Sequence, residues 1–251
     1  SKGVKLTQKS LLANVAQCLD VIKINNDFLH CSTTISPLPL YHIYAYALCF
    51  GILPAIRGHS VLIPNPRDTV SFIKAIKKVK FDIFCGLNSL FVSLLESAEF
   101  KKLDFSNLKL TLSGGMALMP VVAEEWSKLT GCKISEGYGM TEASPVISMN
   151  PSGFQKLGSA GIPLAGTEVK VIDDTGAFKP VDQAGELCIK GPQMMDGYWN
   201  DDEKTSKTII DGWLHTGDIV TVDKEGYVTI VDRLKDMICL LYTSDAADEC
   251  S

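Results

Sequence analysis

Residues 81–142 read FDIFCGLNSLFVSLLESAEFKKLDFSNLKLTLSGGMALMPVVAEEWSKLTGCKISEGYGMTE and alternate between two hydrophobic patterns. Three short apolar runs predict buried strands, at residues 81–85, 108–112 and from 134 onward. Two segments of helical periodicity lie between these runs, at residues 87–100 and 120–129. Pro120 suits the first turn of the second helix, and Gly131 suits its end. This strand–helix alternation favours an α/β fold with mainly parallel strand pairing.

The sequence before residue 81 predicts one more helix and one buried segment. The helix covers residues 69–80 and places five apolar side chains on one side: Val70, Phe72, Ile73, Ile76 and Val79. Residues 35–56 contain no Asp, Glu, Lys or Arg, but only eleven residues separate His42 from Pro54. A helical membrane span needs roughly 20. We therefore predict a buried loop and helix that line an apolar cavity, and no transmembrane segment.

The pattern changes after about Pro145, where short strands and tight turns replace the helices. Strands are predicted over residues 167–172, 186–190 and 227–231, with turns at residues 173–176 and 223–226. This texture predicts a small antiparallel, barrel-like subdomain. We therefore expect an α/β part in residues 1–144 and a β-rich part in residues 145–238.

Charge and cysteine content exclude several classes of protein. The 251 residues include 24 Lys or Arg and 29 Asp or Glu, which gives a formal net charge of −5. A protein whose main task is to hold nucleic acid usually carries a positive surplus, so we expect no nucleic-acid partner. The eight cysteines form no C-x-x-C pair, which excludes a zinc ribbon and a thioredoxin-like site. We interpret them as reduced, packed cysteines of a cytoplasmic protein.

Two glycine motifs follow predicted strands: SGGMA at residues 113–117 and EGYGMTE at residues 136–142. Open α/β sheets bind ligands at the carboxyl ends of their strands, and absent side chains let a flat ring approach the backbone. Tyr138 suits a base, Thr141 a phosphate oxygen and Glu142 a magnesium ion. Tight turns and solvent-facing loops use the same residues, so each motif alone leaves both interpretations open.

Two charged motifs lie in the β-rich part: GWLHTGD at residues 212–218 and DRLKD at residues 232–236. Asp218, held by a glycine turn, suits both hydroxyls of a ribose. The planar guanidinium of Arg233 suits phosphate or ribose oxygens. The alternatives are an ordinary turn aspartate and a solvated run of charges.

The four motifs, in this order and at these spacings, resemble the adenylate-forming superfamily of acyl-CoA synthetases, luciferases and peptide-synthetase adenylation domains. Three further segments are most similar to the bacterial long-chain fatty-acid–CoA ligases: LPLYHI at 38–43, NPRD at 65–68 and GELCIKGPQ at 185–193. The resemblance covers nearly all of residues 1–238. It implies part of the large N-terminal domain of such an enzyme, with helix-flanked, mainly parallel sheets and an antiparallel β-barrel-like subdomain.

The resemblance also implies a reaction and its site. Family enzymes join a carboxylate to ATP, release pyrophosphate, and pass the acyl group from the adenylate to the thiol of coenzyme A. The partners are thus a fatty acid, ATP and coenzyme A, with Mg²⁺ as metal. Five residues would border the nucleotide: Gly114, Gly115, Met116, Tyr138 and Gly139.

The remaining roles are also implied by the resemblance. Thr141 would contact the α-phosphate, Glu142 would hold Mg²⁺, and Asp218 would bind the ribose. Arg233 would reach ribose or phosphate and count, with Thr141 and Glu142, among the catalytic residues. Asp236 would lie at the hinge between large and small domains. Four residues would lie near the acyl tunnel: His42, Gly86, Leu87 and Asn88.

Both ends depart from the family pattern. The phosphate loop would precede Ser1, and after Ile238 residues 239–251 resemble a translated sequencing adapter, so we expect an inactive piece of a longer enzyme with a non-native tail. Two alternatives stay open: an acyl-AMP or aryl-acid ligase of the same fold, and a non-catalytic module that binds AMP or acyl groups. We expect a cytoplasmic location, with peripheral contact at the inner membrane as an option, and the oligomeric state is left open.

Overall fold

The computed structural model describes residues 2–23 and 30–233. The predicted hinge residue Asp236 and the predicted tail at residues 239–251 lie outside these ranges. The described helices are α1 (Gln8–Lys23), α2 (Ile43–Tyr46), α3 (Leu53–Ala55), α4 (Thr69–Ile76), α5 (Asn88–Glu96), α6 (Pro120–Thr130) and α7 (Asp202–Thr208). A π-helical turn covers Ala47–Ile52, and 3-10 turns cover Phe100–Lys102 and Thr141–Ala143.

Seven strands form the larger sheet, in the order β3-β2-β4-β5-β6-β7-β8. Their bounds are β2 (Thr33–Ser36), β3 (His59–Leu62), β4 (Ile83–Gly86), β5 (Leu110–Gly114), β6 (Ile134–Gly139), β7 (Val146–Met149) and β8 (Ile162–Pro163). The pairings from β3 to β6 are parallel, while β7 and β8 add antiparallel. The predicted α/β fold with mainly parallel pairing is confirmed.

The larger sheet is buried on both faces because its strands carry apolar side chains on alternate sides. Phe84 points toward α4, α5 and α6, where its ring lies 5.1 Å from that of Trp126 between ring centres. Its neighbours Ile83 and Cys85 pack on the opposite face against α1 and the π-helical turn. The helix ends follow the sequence: Gly131 closes α6 with φ of 73°, a conformation that glycine adopts at little cost.

A second sheet contains five antiparallel strands, β9 (Glu168–Ile172), β10 (Gly185–Lys190), β12 (Ile209–Ile210), β13 (Trp213–Val222) and β14 (Val228–Arg233). The long strand β13 pairs with β10 along one edge, and with β12 and β14 along the other. Two further short strands pair with each other, β1 (Val4–Lys5) and β11 (Gly197–Tyr198). The predicted antiparallel subdomain is present, and its inner face packs with Tyr138 and Ile147 of the larger sheet in a third apolar cluster.

Several details differ from the sequence predictions. Helix α4 ends at Ile76, and Val70 is 79% exposed, so Val70 does not share the buried side of Phe72 and Ile73. The segment 35–56, predicted as a loop and a helix, begins within strand β2. No described helix is long and apolar enough to cross a membrane. The division at residues 144 and 145 stays a prediction, and the larger sheet continues beyond it to Pro163.

Candidate functional site

A cavity of about 430 Å³ opens where β5 and β6 end. These neighbouring parallel strands place Gly114 directly opposite Gly137. The wall contributed by α1, α2 and the π-helical turn is apolar, with Cys18, Ile43, Ala47, Leu48 and Ile52. A second, polar wall contains residues 139–142 and 216–218. One cavity therefore offers an apolar compartment continuous with a polar one, at the edge of the sheet where α/β proteins bind ligands.

Two glycines of the cavity are required by the backbone, Gly115 through its conformation and Gly139 through a close contact. Gly115 adopts φ of 83°, which disfavours any residue with a side chain. A Cβ atom on Gly139 would clash with the carbonyl oxygen of Pro145. A Cβ on Gly114 would stand 3.4 Å from the carbonyl oxygen of Gly137 and narrow the groove. The motifs thus expose bare backbone, against which a planar group can lie.

Tyr138 joins the two sheets at the cavity. Its hydroxyl donates to Oδ2 of Asp218 over 2.5 Å, and both side chains are buried. The bond connects EGYGMTE on β6 with HTGD on β13, 80 residues later. The structure therefore brings together two motifs that the sequence could only place in order.

The turn that carries Asp218 is fixed by side chains. Each carboxylate oxygen of Glu186 has one partner in this turn. Oε1 accepts from the Gly217 amide at 3.0 Å, and Oε2 pairs with Nδ1 of His215 at 2.9 Å. The Thr216 hydroxyl accepts from the Asp218 amide and donates to the Leu187 carbonyl. Because these bonds determine the conformation of the turn, the position of the Asp218 carboxylate is set before any ligand binds.

Glu142, which lines the cavity, has a buried partner. Oε1 of Glu142 accepts from the Tyr198 hydroxyl at 2.7 Å, and Tyr198 is only 2% exposed. Burial, together with this carboxylate, raises the pKa of Tyr198 to about 12, so the phenol stays a donor. No described residue donates to the second carboxylate oxygen of Glu142. Thr141 lies next to it on the cavity wall.

One buried hydroxyl next to the cavity has no partner among the described residues. Oγ of Ser113 is buried at the end of β5, and no described group forms a hydrogen bond with it. A buried polar atom without a partner is costly.

The predicted nucleotide residues mostly meet at this cavity. Gly114, Gly115, Tyr138, Gly139, Thr141, Glu142 and Asp218 all line it. Met116 does not line it, and its side chain is 62% exposed. Arg233 lies opposite Asp218 in the β13–β14 pairing, so its backbone adjoins the site.

The predicted tunnel residues divide into two groups. His42 lines the cavity, and its Nδ1 accepts from the Tyr44 amide at the start of α2. Gly86, Leu87 and Asn88 do not line it. Leu87 packs in the core, while Asn88 begins α5 and binds the Met119 amide.

Sequence reasoning missed three residues that shape the site. They are Tyr44, Glu186 and Tyr198, which respectively line the cavity, hold the HTGD turn and hold Glu142. The sequence places Glu186 in a predicted strand and in the GELCIKGPQ segment, and neither indicates a role at the site. No local signal identifies Tyr198 because its partner lies 56 residues away.

Comparison with known proteins agrees with this geometry. The family model described as "AMP-binding enzyme" matches residues 1–199. A long-chain-fatty-acid–CoA ligase of Escherichia coli O6:H1 is 45% identical over 241 residues, covering 95% of this chain and 42% of that protein. The 4-coumarate–CoA ligase CCL1 of Humulus lupulus is 37% identical, covering 94% of this chain and 44% of that protein.

A solved structure is similar as well. The ATP-bound MatB of Rhodopseudomonas palustris superimposes with a TM-score of 0.83 and 29% identity, over 94% of this chain and 46% of that one. The chain therefore spans less than half the length of each of these three proteins. Because the family model matches 199 of its 251 residues, the chain belongs to the AMP-binding enzyme family.

Proposed function

We propose that this chain carries the adenylate-forming site of an ATP-dependent long-chain fatty-acid–CoA ligase. The observation that carries the proposal is the buried Tyr138–Asp218 hydrogen bond, which unites a ring and a carboxylate beside bare glycine backbone. The similarity to the E. coli ligase supports the choice of acid and acceptor.

The nucleotide would lie along the polar wall. The adenine would rest between the Gly114–Gly115 backbone and the ring of Tyr138, while Asp218 would accept hydrogen bonds from the ribose hydroxyls. The turn around Gly217 is already fixed by Glu186, so little ordering cost remains for binding. Thr141 is placed to donate to an α-phosphate oxygen, and Arg233 would add positive charge from β14.

The residues fit a magnesium ion. Mg²⁺ prefers hard oxygen ligands and few protein carboxylates. Glu142 offers one carboxylate on the cavity wall, with one oxygen fixed by Tyr198 and the other facing no described donor. The ion, when bound, would neutralise charge on the phosphates. Tyr198 would keep the Glu142 carboxylate in place.

The proposed reaction has two transfers. A fatty-acid carboxylate oxygen attacks the α-phosphorus of ATP, the bond to the β-phosphate breaks, and pyrophosphate leaves. The thiolate of coenzyme A, its proton lost to solvent, then attacks the acyl carbonyl, and AMP leaves. The side chains stabilise charge and orient the reactants, and no side chain serves as nucleophile.

The apolar compartment supports an acyl substrate. Its lining comes from α1, α2 and the π-helical turn, and burial there follows from the hydrophobic effect. His42 stands among the lining residues of the same cavity. A long-chain acid would place its tail in this compartment and its carboxylate near Thr141.

The test uses the purified full-length protein. Palmitate- and coenzyme-A-dependent conversion of ATP to AMP and pyrophosphate is expected, with at least a tenfold loss for Asp218→Asn. Asp196→Asn serves as the control because Asp196 does not line the cavity. Failure to release AMP with any carboxylic acid would refute the proposal.

An aryl-acid ligase is the second candidate, and the similarity to the hop 4-coumarate ligase favours it. Thioester formation with palmitate, coumarate and benzoate at equal concentrations separates the two. Binding of AMP without turnover of any acid would instead support the non-catalytic module. The cytoplasmic location, with or without membrane contact, stays a prediction.

A further inference from the structure

The loop that joins β5 to α6, residues 115–119, is the glycine loop on the adenine side of the site. It leaves the sheet at Gly115, whose φ is 83°. No described residue accepts a hydrogen bond from the amides of Met116 or Ala117. Backbone bonds inside the loop therefore do not determine where it lies.

Two side chains from neighbouring elements hold the end of this loop. Oε2 of Glu136, on β6, accepts from the Leu118 amide at 3.1 Å. Oδ1 of Asn88, the first residue of α5, accepts from the Met119 amide at 2.9 Å. Two consecutive amides are thus bound by acceptors from two different elements, which fixes both the position and the direction of the chain there.

The same residues have no other function in the site. Neither Asn88 nor Glu136 lines the nucleotide cavity. Glu136 faces a second cavity on the other face of β6, which it shares with Leu118. The next residue of β6, Gly137, does line the nucleotide cavity. Glu136 therefore holds the loop from the opposite face of β6.

We propose that Asn88 and Glu136 are positioning residues for adenine binding, because together they hold the Leu118–Met119 amides and so position the loop from Gly115 to Ala117, beside the backbone against which the base would lie. The inference rests on the proposed function, since it assumes that a nucleotide occupies the cavity. It assigns Asn88 to the nucleotide side of the site instead of the acyl tunnel.

The conservative variants separate a positioning role from a general structural one. Asn88→Asp and Glu136→Gln keep an oxygen that can accept from the amide, whereas Asn88→Ala and Glu136→Ala remove it. Asn65→Ala is a matched control, because Oδ1 of Asn65 also binds a backbone amide, that of Arg67, in an exposed loop away from the cavity.

Two measurements are made on each variant. Hydrogen exchange of the Leu118 and Met119 amides tests the clamp itself: Asn88→Ala is expected to accelerate exchange at Met119, and Glu136→Ala at Leu118. Calorimetric titration with AMP tests its consequence: Glu136→Ala is expected to bind about tenfold more weakly, and Asn88→Ala about threefold more weakly because water partly replaces its exposed hydrogen bond. Asn88→Asp and Glu136→Gln are expected to restore binding.

In the active enzyme, the KM for ATP is expected to rise in the Ala variants while the KM for palmitate and kcat stay within twofold of the wild type. Unchanged exchange at both amides, or AMP affinity equal to that of Asn65→Ala, would overturn the inference while leaving the proposed function intact. If the Ala variants change amide exchange as expected but the wild-type protein does not bind AMP, the proposed function is refuted, and the adenine role with it.

Discussion

The hydrogen bond between Tyr198 and Glu142 gives a stability prediction that isolates one hydroxyl group. Tyr198→Phe removes the donor but keeps the ring, over which the ammonium groups of Lys2 and Lys204 lie at 5.3 and 5.6 Å. The packing of β11 is therefore unchanged. What is lost is the bond to a carboxylate that is itself only 8% exposed, together with a contact of the same hydroxyl with Thr208.

The size of the effect follows from burial and charge. Hydrogen bonds to charged groups contribute about 1.5–3 kcal/mol, and a buried acceptor left without its donor loses this in full. We expect the free energy of unfolding to fall by about 2 kcal/mol. For a chain of this length, that lowers the melting temperature by roughly 4–8 °C.

Tyr227→Phe provides the matched control. The Tyr227 hydroxyl also donates over 2.7 Å, to the Phe154 carbonyl, but this bond is exposed to solvent. Water replaces an exposed partner, so we expect a loss within about 0.5 kcal/mol. Urea unfolding of both variants, followed by circular dichroism, measures the difference. Equal losses in the two variants would refute the reasoning that burial makes the Glu142 contact strong.

Three further predictions concern pH, packing and ligand affinity. Burial raises the pKa of Glu136 from 4.5 to about 7. Between these two pH values the folded state retains a proton that the unfolded chain releases, so the free energy of unfolding falls by up to about 3 kcal/mol as the pH rises from about 4.5 to 7. Glu136→Gln should remove this component, and parallel pH series that coincide would contradict it. Trp126→Leu should lower the free energy of unfolding, measured with urea, by about 3 kcal/mol because the ring is fully buried. Trp199→Leu should lower it little because that ring is 68% exposed. Similar losses in the two variants would contradict the packing described for the core. Tyr138→Phe should weaken AMP binding about tenfold by calorimetry, since Asp218 loses a donor that orients it; an unchanged affinity would argue against the site.

The sequence predicted the α/β core because its determinants are local. The strands around Phe84 and Leu112 are short apolar runs, and Pro120 and Gly131 mark the ends of α6 through their own backbone preferences. Boundaries were less accurate: α4 stops at Ile76, three residues before Val79. Helix ends depend on tertiary packing that periodicity does not contain.

The site was predictable only as far as motifs carry it. The resemblance named Tyr138, Glu142 and Asp218, which meet at one cavity. Their partners were not predictable, since Tyr198 reaches Glu142 only after the chain has folded back. The resemblance places Asn88 near the acyl tunnel, whereas its side chain accepts a hydrogen bond from the Met119 amide. Side-chain direction is set by the fold and not by position along a strand.

The 80-residue separation between Tyr138 and Asp218 also bears on the order in which the molecule assembles. Closing a loop costs entropy that grows with its length, so contacts within the parallel sheet form before the two sheets meet. We therefore expect the site to form after the parallel sheet. A nucleotide that contacts both sheets would bind only the closed state and raise its population by mass action. Bound nucleotide would thus stabilise the contact between the two sheets. Without nucleotide, we expect this contact to be a site of local unfolding and proteolysis.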